Sequence, residues 1–188
     1  SGKTSVRDIL VSEFGFEVLS FGAKLKESLA DVFQYVMDVE VKDVESLIKY
    51  GQSCRAIHPD VWISHVNESL KVCEKRSKEA PVFTGVVIDD LRQPNEYQWA
   101  RENGFTIIRV QASEDIRFER AINVGDKITR EDLRKETESH YNKFEVDKEF
   151  TNEGTYEEFK EDVIEYFTEE FDKIAEKIKE EKRDRTAK

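Results

Sequence analysis

Ser1-Gly2-Lys3-Thr4 opens the chain, and its residue types suit one kind of chemistry. It matches the last four positions of the pattern G-x-x-x-x-G-K-S/T. In that loop backbone N–H groups cradle phosphates, the Lys reaches the β/γ-phosphates and the hydroxyl residue holds Mg²⁺. Ser-Gly is also what a cloning scar leaves, so the tetrapeptide needs support from the residues after it. Residues 5–14 carry apolar side chains at Val6, Ile9, Leu10 and Phe14, and Gly15 then supplies a stop, which predicts a helix. A phosphate loop requires such a helix, because unpaired N–H groups and the positive dipole end face the anion. The complete pattern also requires a strand and a first Gly before Ser1. The sequence therefore predicts about eight or more residues on that side.

Composition narrows the partners. The 188 residues are 38% hydrophobic and 11% aromatic, with 12 Phe, enough for one ordered domain with its own core. A net charge of −11 argues against a general nucleic-acid surface but leaves room for a local pocket of arginines. Cys54 and Cys73 are too few for a disulfide framework or a zinc site, and His58, His65 and His140 lack partners at metal spacing. No signal peptide and no apolar run near 18 residues is present, so a soluble, cytoplasmic protein with no membrane partner is expected.

The elements that must position the chemistry alternate. Phe16–Phe21 reads as a strand, and residues 24–37 as a helix. A second helix over 40–50 is ended by Gly51, and a third runs over 59–77 with Pro59 just inside it. Val82–Ile88 is apolar and β-branched, as a strand buried on both faces should be, and it ends at Asp89-Asp90. A helix over 95–103 leads through Gly104 to a strand over Phe105–Val110. The charged stretch 113–139 reads as helical, and a final helix covers 156–182. Strands alternating with helices predict an α/β fold with a mainly parallel sheet, whose ligands sit at the carboxyl ends of the strands. Asp89, Asp90 and Arg92 lie at such an end. The strand period turns Asp89 and Asp90 to opposite sides, so only one of them faces a site.

Four segments carry a resemblance. Val86-Val87-Ile88-Asp89-Asp90-Leu91-Arg92-Gln93-Pro94-Asn95-Glu96 resembles the strand-and-turn motif, roughly Asp-Val-Arg-Phe-Pro-Asn-Glu, of the phage-type deoxynucleoside monophosphate kinases. Phe21-Gly22-Ala23-Lys24-Leu25-Lys26 is similar to that family's Phe-Ala-x-x-Leu-Lys. Residues 51–62, with Gly51, Arg55, Pro59, Asp60 and Trp62, resemble Gly-x-x-x-Arg-x-x-x-Pro-Asp-x-Trp, and Asn152-Glu153-Gly154-Thr155 resembles its closing Asn-x-Gly-Thr. The animal phosphomevalonate kinases resemble the same group. Around His140 the chain reads His140-Tyr141-Asn142-Lys143 where the family has roughly His-x-Ser-Glu.

The resemblance implies a single domain, 1–188, with the three-layer parallel sheet of P-loop nucleoside monophosphate kinases and a helical lid insertion at 113–150. It implies a phosphotransferase moving the γ-phosphoryl of Mg²⁺·ATP to a (deoxy)nucleoside 5′-monophosphate. Another small phospho-acceptor such as phosphomevalonate, or a nucleotide-binding module without turnover, stays open, and a homodimer is compatible. Gly2, Lys3 and Thr4 would hold the ATP phosphates, with Thr4 and Asp90 on Mg²⁺. Lys26, Arg55 and Arg92 would clamp the acceptor phosphate, since planar guanidinium groups suit a dianion. Arg120, with Arg117, Arg130 and Arg134 on the same charged insertion, would close over the phosphates. Asn152, Gly154 and Thr155 would approach the adenine. Each has a plainer alternative: a surface ion pair for the arginines, a helix cap or turn for Asp89, Asp90 and Thr155, a helix-start charge for Asp60, and core packing for Trp62 and Trp99.

Overall fold

The computed structural model describes residues 2–36, 44–79, 85–123, 125, 129–131 and 143–186, and among these residues two short parallel ribbons and seven helices are traced from end to end. In chain order these are α1 (Lys3–Phe14), β1 (Glu17–Leu19), α2 (Phe21–Phe33), α3 (Val44–Ile57), α4 (Val61–Glu79) and β2 (Val86–Ile88). They continue with α5 (Pro94–Glu102), β3 (Ile108–Gln111), α6 (Glu114–Asn123), β4 (Lys148–Thr151) and α7 (Tyr156–Thr186). Strand β1 lies parallel to β2, with Glu17 opposite Val86 and Leu19 opposite Ile88. Strand β3 lies parallel to β4, with Ile108 opposite Lys148 and Gln111 opposite Thr151.

This corrects the expected three-layer P-loop kinase sheet. The described residues are mostly helical, and among them no strand pairing joins β2 to β3. The physical reasons are local. The strand expected over Phe16–Phe21 stops at Leu19, because the Asp90 carboxylate takes the Ser20 hydroxyl and the N–H groups of Phe21 and Gly22, which starts α2 at Phe21. The strand expected over Phe105–Val110 begins at Ile108. Phe105 N–H is held by the Ala100 carbonyl at 3.0 Å, closing the end of α5, and Ile107 N–H donates to Asp147 at 2.6 Å. In place of a strand buried on both faces, β2 is half-buried along its length, and residues 82–84 lie outside the described ones.

Helix α3 runs through Gly51 instead of ending there. A Cβ on Gly51 would sit 3.2 Å from the Leu25 side chain, so this glycine permits α2 and α3 to approach closely rather than breaking the helix. Of the helix expected over 113–139, α6 accounts for the first part, and 132–142, with Arg134 and His140, lie outside the described residues. Strand β4 was not expected. It sits in a charged stretch, and its one buried side chain is Phe150.

Two apolar clusters hold these pieces. Val6, Ile9 and Leu10 of α1 pack with Val110, Phe150 and the α7 residues Phe159, Val163 and Phe167. Phe21, Ile63 and Val66 pack with Leu19, Ile88, Leu91 and Trp99 around the first ribbon. Ile9 and Val163 are fully buried, each removing an aliphatic side chain worth roughly 1.5–3 kcal/mol from water.

The turn before β3 is pinned by charge. Arg101 Nη1 donates to both oxygens of Asp147, at 2.7 and 2.6 Å, while Ile107 N–H donates to one of them. The Arg101 bond, helped by the Ile107 N–H and opposed by burial, holds the Asp147 carboxyl below its usual pKa. A carboxylate depressed in the folded state stabilises it above the unfolded value, and that contribution is lost as pH falls through the folded one. Asp147 is 41% exposed, so the Coulomb part is discounted for solvent. Asp147→Asn should lower unfolding free energy by about 1 kcal/mol at neutral pH. The difference from the parent should begin to narrow as pH falls below about 4 and be smaller at pH 3 than at pH 7, which urea melts at the two pH values will show.

Candidate functional site

Gly2 begins α1 in the left-handed region, at φ 107°, and a Cβ there would collide with the Asn152 amide and lie 3.5 Å from Val110. Both constraints demand glycine, and together they seat the start of α1 at the carboxyl ends of β3 and β4. The first intrahelical bond runs from Val6 N–H to the Gly2 carbonyl at 3.1 Å. No side chain caps this end and no acidic residue occupies its first turn, leaving its positive potential uncountered by carboxylates of its own turn. Lys3 and Arg7, four residues apart on one helix face, line a cavity of about 1190 Å³ that lies between β2 and β3. Asp89, Glu114 and Arg117 line it too. Thr4 is exposed on the first turn.

Asp89 and Asp90 do turn opposite ways. Asp89 accepts from Arg7 Nη1 at 2.8 Å and faces the cavity with Lys3. Asp90 faces α2. Its Oδ2 accepts from Ser20 Oγ at 2.7 Å and Gly22 N–H at 2.8 Å, and its Oδ1 from Phe21 N–H at 3.0 Å. With two lone pairs per carboxylate oxygen, one site on Oδ1 remains for anything else. A Cβ on Gly22 would lie 3.2 Å from Asp90 Oδ2, so the close approach needs this glycine. Among the described residues no hydrogen bond joins Thr4 to Asp90.

The two arginine segments meet on one buried carboxylate. Glu96 is 2% exposed, and its Oε2 accepts the N–H groups of Arg92 and Gln93, each at 2.9 Å. Its Oε1 lies 3.4 Å from Arg55 Nη2. Gln93 and Glu96 form a reciprocal cap at the start of α5, so the helix signal and the clamp share one residue. Asn95 Nδ2 donates to the Pro59 carbonyl at 3.0 Å and to Asp60 at 2.8 Å, which ties the start of α4 to the same turn. Arg92 carries an exposed side chain on this turn. Lys26 is exposed on α2 and makes no hydrogen bond or ion pair with a described residue.

Arg120 reaches across from α6, donating to the carbonyls of Asn152 and Gly154, each at 3.0 Å. Glu153 in turn accepts Ser113 N–H at 2.5 Å and its hydroxyl at 3.0 Å. The base of the expected lid and the 152–155 turn are thus one unit. Thr155 caps α7 in a reciprocal pair with Glu158: its N–H and hydroxyl each donate to Glu158 Oε2 at 2.9 Å, and Glu158 N–H returns to Thr155 Oγ1 at 3.2 Å. Those bonds, the Thr155 N–H first, hold the Glu158 carboxyl below its usual pKa. Arg130 pairs with Asp115 at 2.6 Å on an exposed surface.

Trp62 is buried on α4, and Trp99 packs edge-on against Phe21. His58 and His65 are exposed. Cys54 and Cys73 are free thiols; burial pushes the Cys73 thiol up, and it donates to Glu17 at 3.3 Å. Among the described residues no group of three His, Cys, Asp or Glu side chains is placed to hold a metal ion, and no helix is long and apolar enough to cross a membrane.

Sequence reasoning missed Arg7 and Glu96 as members of the site. The four-residue spacing from Lys3 to Arg7 was a usable signal. Glu96 was hidden by its helix-start pattern, which gives no sign of a third partner forty-one residues away. No family model matches the chain, and no curated protein matches it.

Removing the Glu96 carboxylate strands two backbone donors and one guanidinium in a buried place. Glu96→Ala should cost about 2–4 kcal/mol of stability, while the exposed Glu102→Ala on the same helix should cost under about 0.5 kcal/mol. Urea unfolding of the two variants beside the parent measures both.

Proposed function

We propose that this chain is a phosphotransferase that moves the γ-phosphoryl group of Mg²⁺·ATP to a (deoxy)nucleoside 5′-monophosphate. The observation that carries the reading is the start of α1. An uncapped helix end begins at a left-handed glycine and sets Lys3 and Arg7 beside Asp89 in one cavity, at the carboxyl ends of strands. The reading rests on this local chemistry and not on the overall architecture, since function resides in sites rather than folds.

In such a transfer the bond from the γ-phosphorus to the β–γ bridging oxygen breaks, and a bond to an oxygen of the acceptor phosphate forms. The protein contributes position and neutralising charge more than covalent chemistry. Lys3 and the first-turn N–H groups hold the β/γ-phosphates. Thr4 supplies its hydroxyl to the Mg²⁺ that travels with ATP. Asp90 takes part through its remaining Oδ1 site while it fixes the Ser20–Gly22 start of α2. Arg55, whose guanidinium pairs with Glu96, and Arg92, whose main-chain N–H the same carboxylate accepts, meet the acceptor phosphate, and Lys26 adds charge from α2. Arg120 joins α6 to the Asn152–Thr155 turn, so a bound adenine on that turn and α6 move together. Exclusion of water by the charged insertion would suppress wasteful hydrolysis.

The decisive measurement is single-turnover transfer from labelled ATP to a panel of nucleoside monophosphates, with phosphomevalonate as the competing acceptor. Lys3→Ala should cut turnover by on the order of 10²-fold or more, because a contact made by developing charge is lost. Wild-type ATP consumption in that variant would remove the phosphate role of Lys3. Arg92→Lys separates geometry from charge, because it keeps the cation and loses the planar fork. It should raise the acceptor KM and lower kcat while ATP affinity stays within a few-fold. Unchanged acceptor kinetics would eliminate Arg92 from the clamp.

A further inference from the structure

Strand β4 has one edge with no strand beside it among the described residues. On its other edge the Lys148 and Asn152 N–H groups donate to the Ile107 and Gln111 carbonyls, at 3.3 and 2.7 Å. By alternation Phe150 faces β3 as well, while the N–H and C=O groups of Glu149 and Thr151 point away from it. Such an edge presents a row of donors and acceptors to any extended chain that reaches it.

A groove of about 450 Å³ runs along this edge. One wall is formed by residues 148–151, and the other by Asp162, Glu165, Tyr166 and Glu169 of α7. A sheet face would contribute alternate residues, so the consecutive run marks the strand's edge. The four α7 residues stand three and four apart and share a helix face. Asp162, Glu165 and Glu169 are exposed, and none makes a hydrogen bond or ion pair with a described residue. The groove already seats one cation: Lys148 Nζ lies 4.8 Å from the Tyr166 ring centre and 5.1 Å from that of Phe150. Glu149 is paired with Arg109 at 3.3 Å. Three unpaired carboxylates against one lysine leave the groove negative.

We propose that the outer edge of β4 is a docking site for an extended peptide segment of a partner protein, with a basic side chain at every second residue. The main chain of the segment pairs with Glu149 and Thr151, and its alternate side chains turn toward α7. Three alternate residues of a strand span about 13 Å, and Asp162 to Glu169 covers roughly 10 Å of helix, a difference that lysine or arginine side chains absorb. Charge selects this occupant over a second copy of the chain. Antiparallel pairing of two β4 edges would set one acidic helix face beside another, in a protein of net charge −11. The site is independent of the phosphotransfer reading.

A fluorescently labelled Lys-Val-Lys-Val-Lys peptide, amidated at its carboxyl end, tests the site on the 188-residue chain, with anisotropy reading affinity and residue-resolved amide hydrogen exchange reading position. Binding should saturate. With free peptide at ten times its Kd, exchange at the Glu149 and Thr151 amides should slow by about tenfold, while the α6 amides stay unchanged. The triple variant Asp162→Asn, Glu165→Gln, Glu169→Gln alters only exposed side chains and should weaken binding by about tenfold. Glu-Val-Glu-Val-Glu should not bind, and spermine, a polycation without peptide groups, should leave both amides unprotected. Absence of binding, binding that leaves those amides unprotected, or unchanged affinity in the triple variant overturns the proposal. So does binding of the Glu peptide or protection by spermine. Protection that grows with protein concentration when no peptide is present also overturns it, because a second copy would then hold the edge.

Discussion

The Asp90 carboxylate is the contact on which the site's arrangement depends. Three donors from Ser20, Phe21 and Gly22 converge on it, across about seventy residues of chain. A charge-assisted bond of this kind is roughly twice as strong as a neutral one, and here it does two structural jobs at once. It ends β1 by claiming the N–H groups that would continue the ladder, and it starts α2 in the absence of a cap from Ser20's own side chain. Because Asp90 follows β2 directly, the β1–β2 register and the start of α2 are set together. The neighbouring Asp89 is thereby aimed the other way, at Arg7.

Carboxylates knit the rest of the molecule in the same manner. Glu96 joins the last turn of α3 to the start of α5, Asp147 joins the end of α5 to the start of β3, and Glu153 joins the turn after β4 to the start of α6. Each accepts at least one main-chain N–H as well as a side-chain donor. An acidic chain thus spends part of its charge internally, on backbone groups at the ends of elements, where helix starts and strand ends leave donors without partners. Arg55 pairs with one of these carboxylates, Glu96, while Arg120 donates to the main-chain carbonyls of the turn after β4.

How much of this was legible in the sequence depends on the range of the interactions. Apolar spacing along α1 and α7 marked both helices, because 3.6-residue periodicity is local. The alternation at Asp89 and Asp90 was equally legible, being a property of two consecutive residues. The sheet was not. Whether β2 pairs with β3 is decided by residues more than twenty positions apart, and strand preference measures fit to neighbours that a single sequence does not reveal. Gly51 misled for the same reason: locally it is a helix stop, but its missing Cβ serves Leu25 on another helix. At the site, the cap at Thr155 lay inside a recognisable motif, whereas the approach of Gly2 to Asn152, 150 residues away, did not show in the sequence. The pairing of Arg55 with Glu96, forty-one residues on, needed the fold.

Helix α7 has one more consequence. At 1.5 Å per residue its 31 residues span roughly 46 Å, yet its buried side chains, Phe159, Val163 and Phe167, all lie in the first half. Residues 172–181 are exposed throughout, including Ile174 and Ile178 one turn apart. The outer half is held by its own hydrogen bonds and by neighbours along the helix, such as Lys173 with Glu170, rather than by the core. It is therefore a separate melting unit. On warming, far-ultraviolet dichroism should begin to fall before the aromatic signal of the Phe and Tyr cluster changes, and the interval between the two transitions measures the helix strength that the core does not supply.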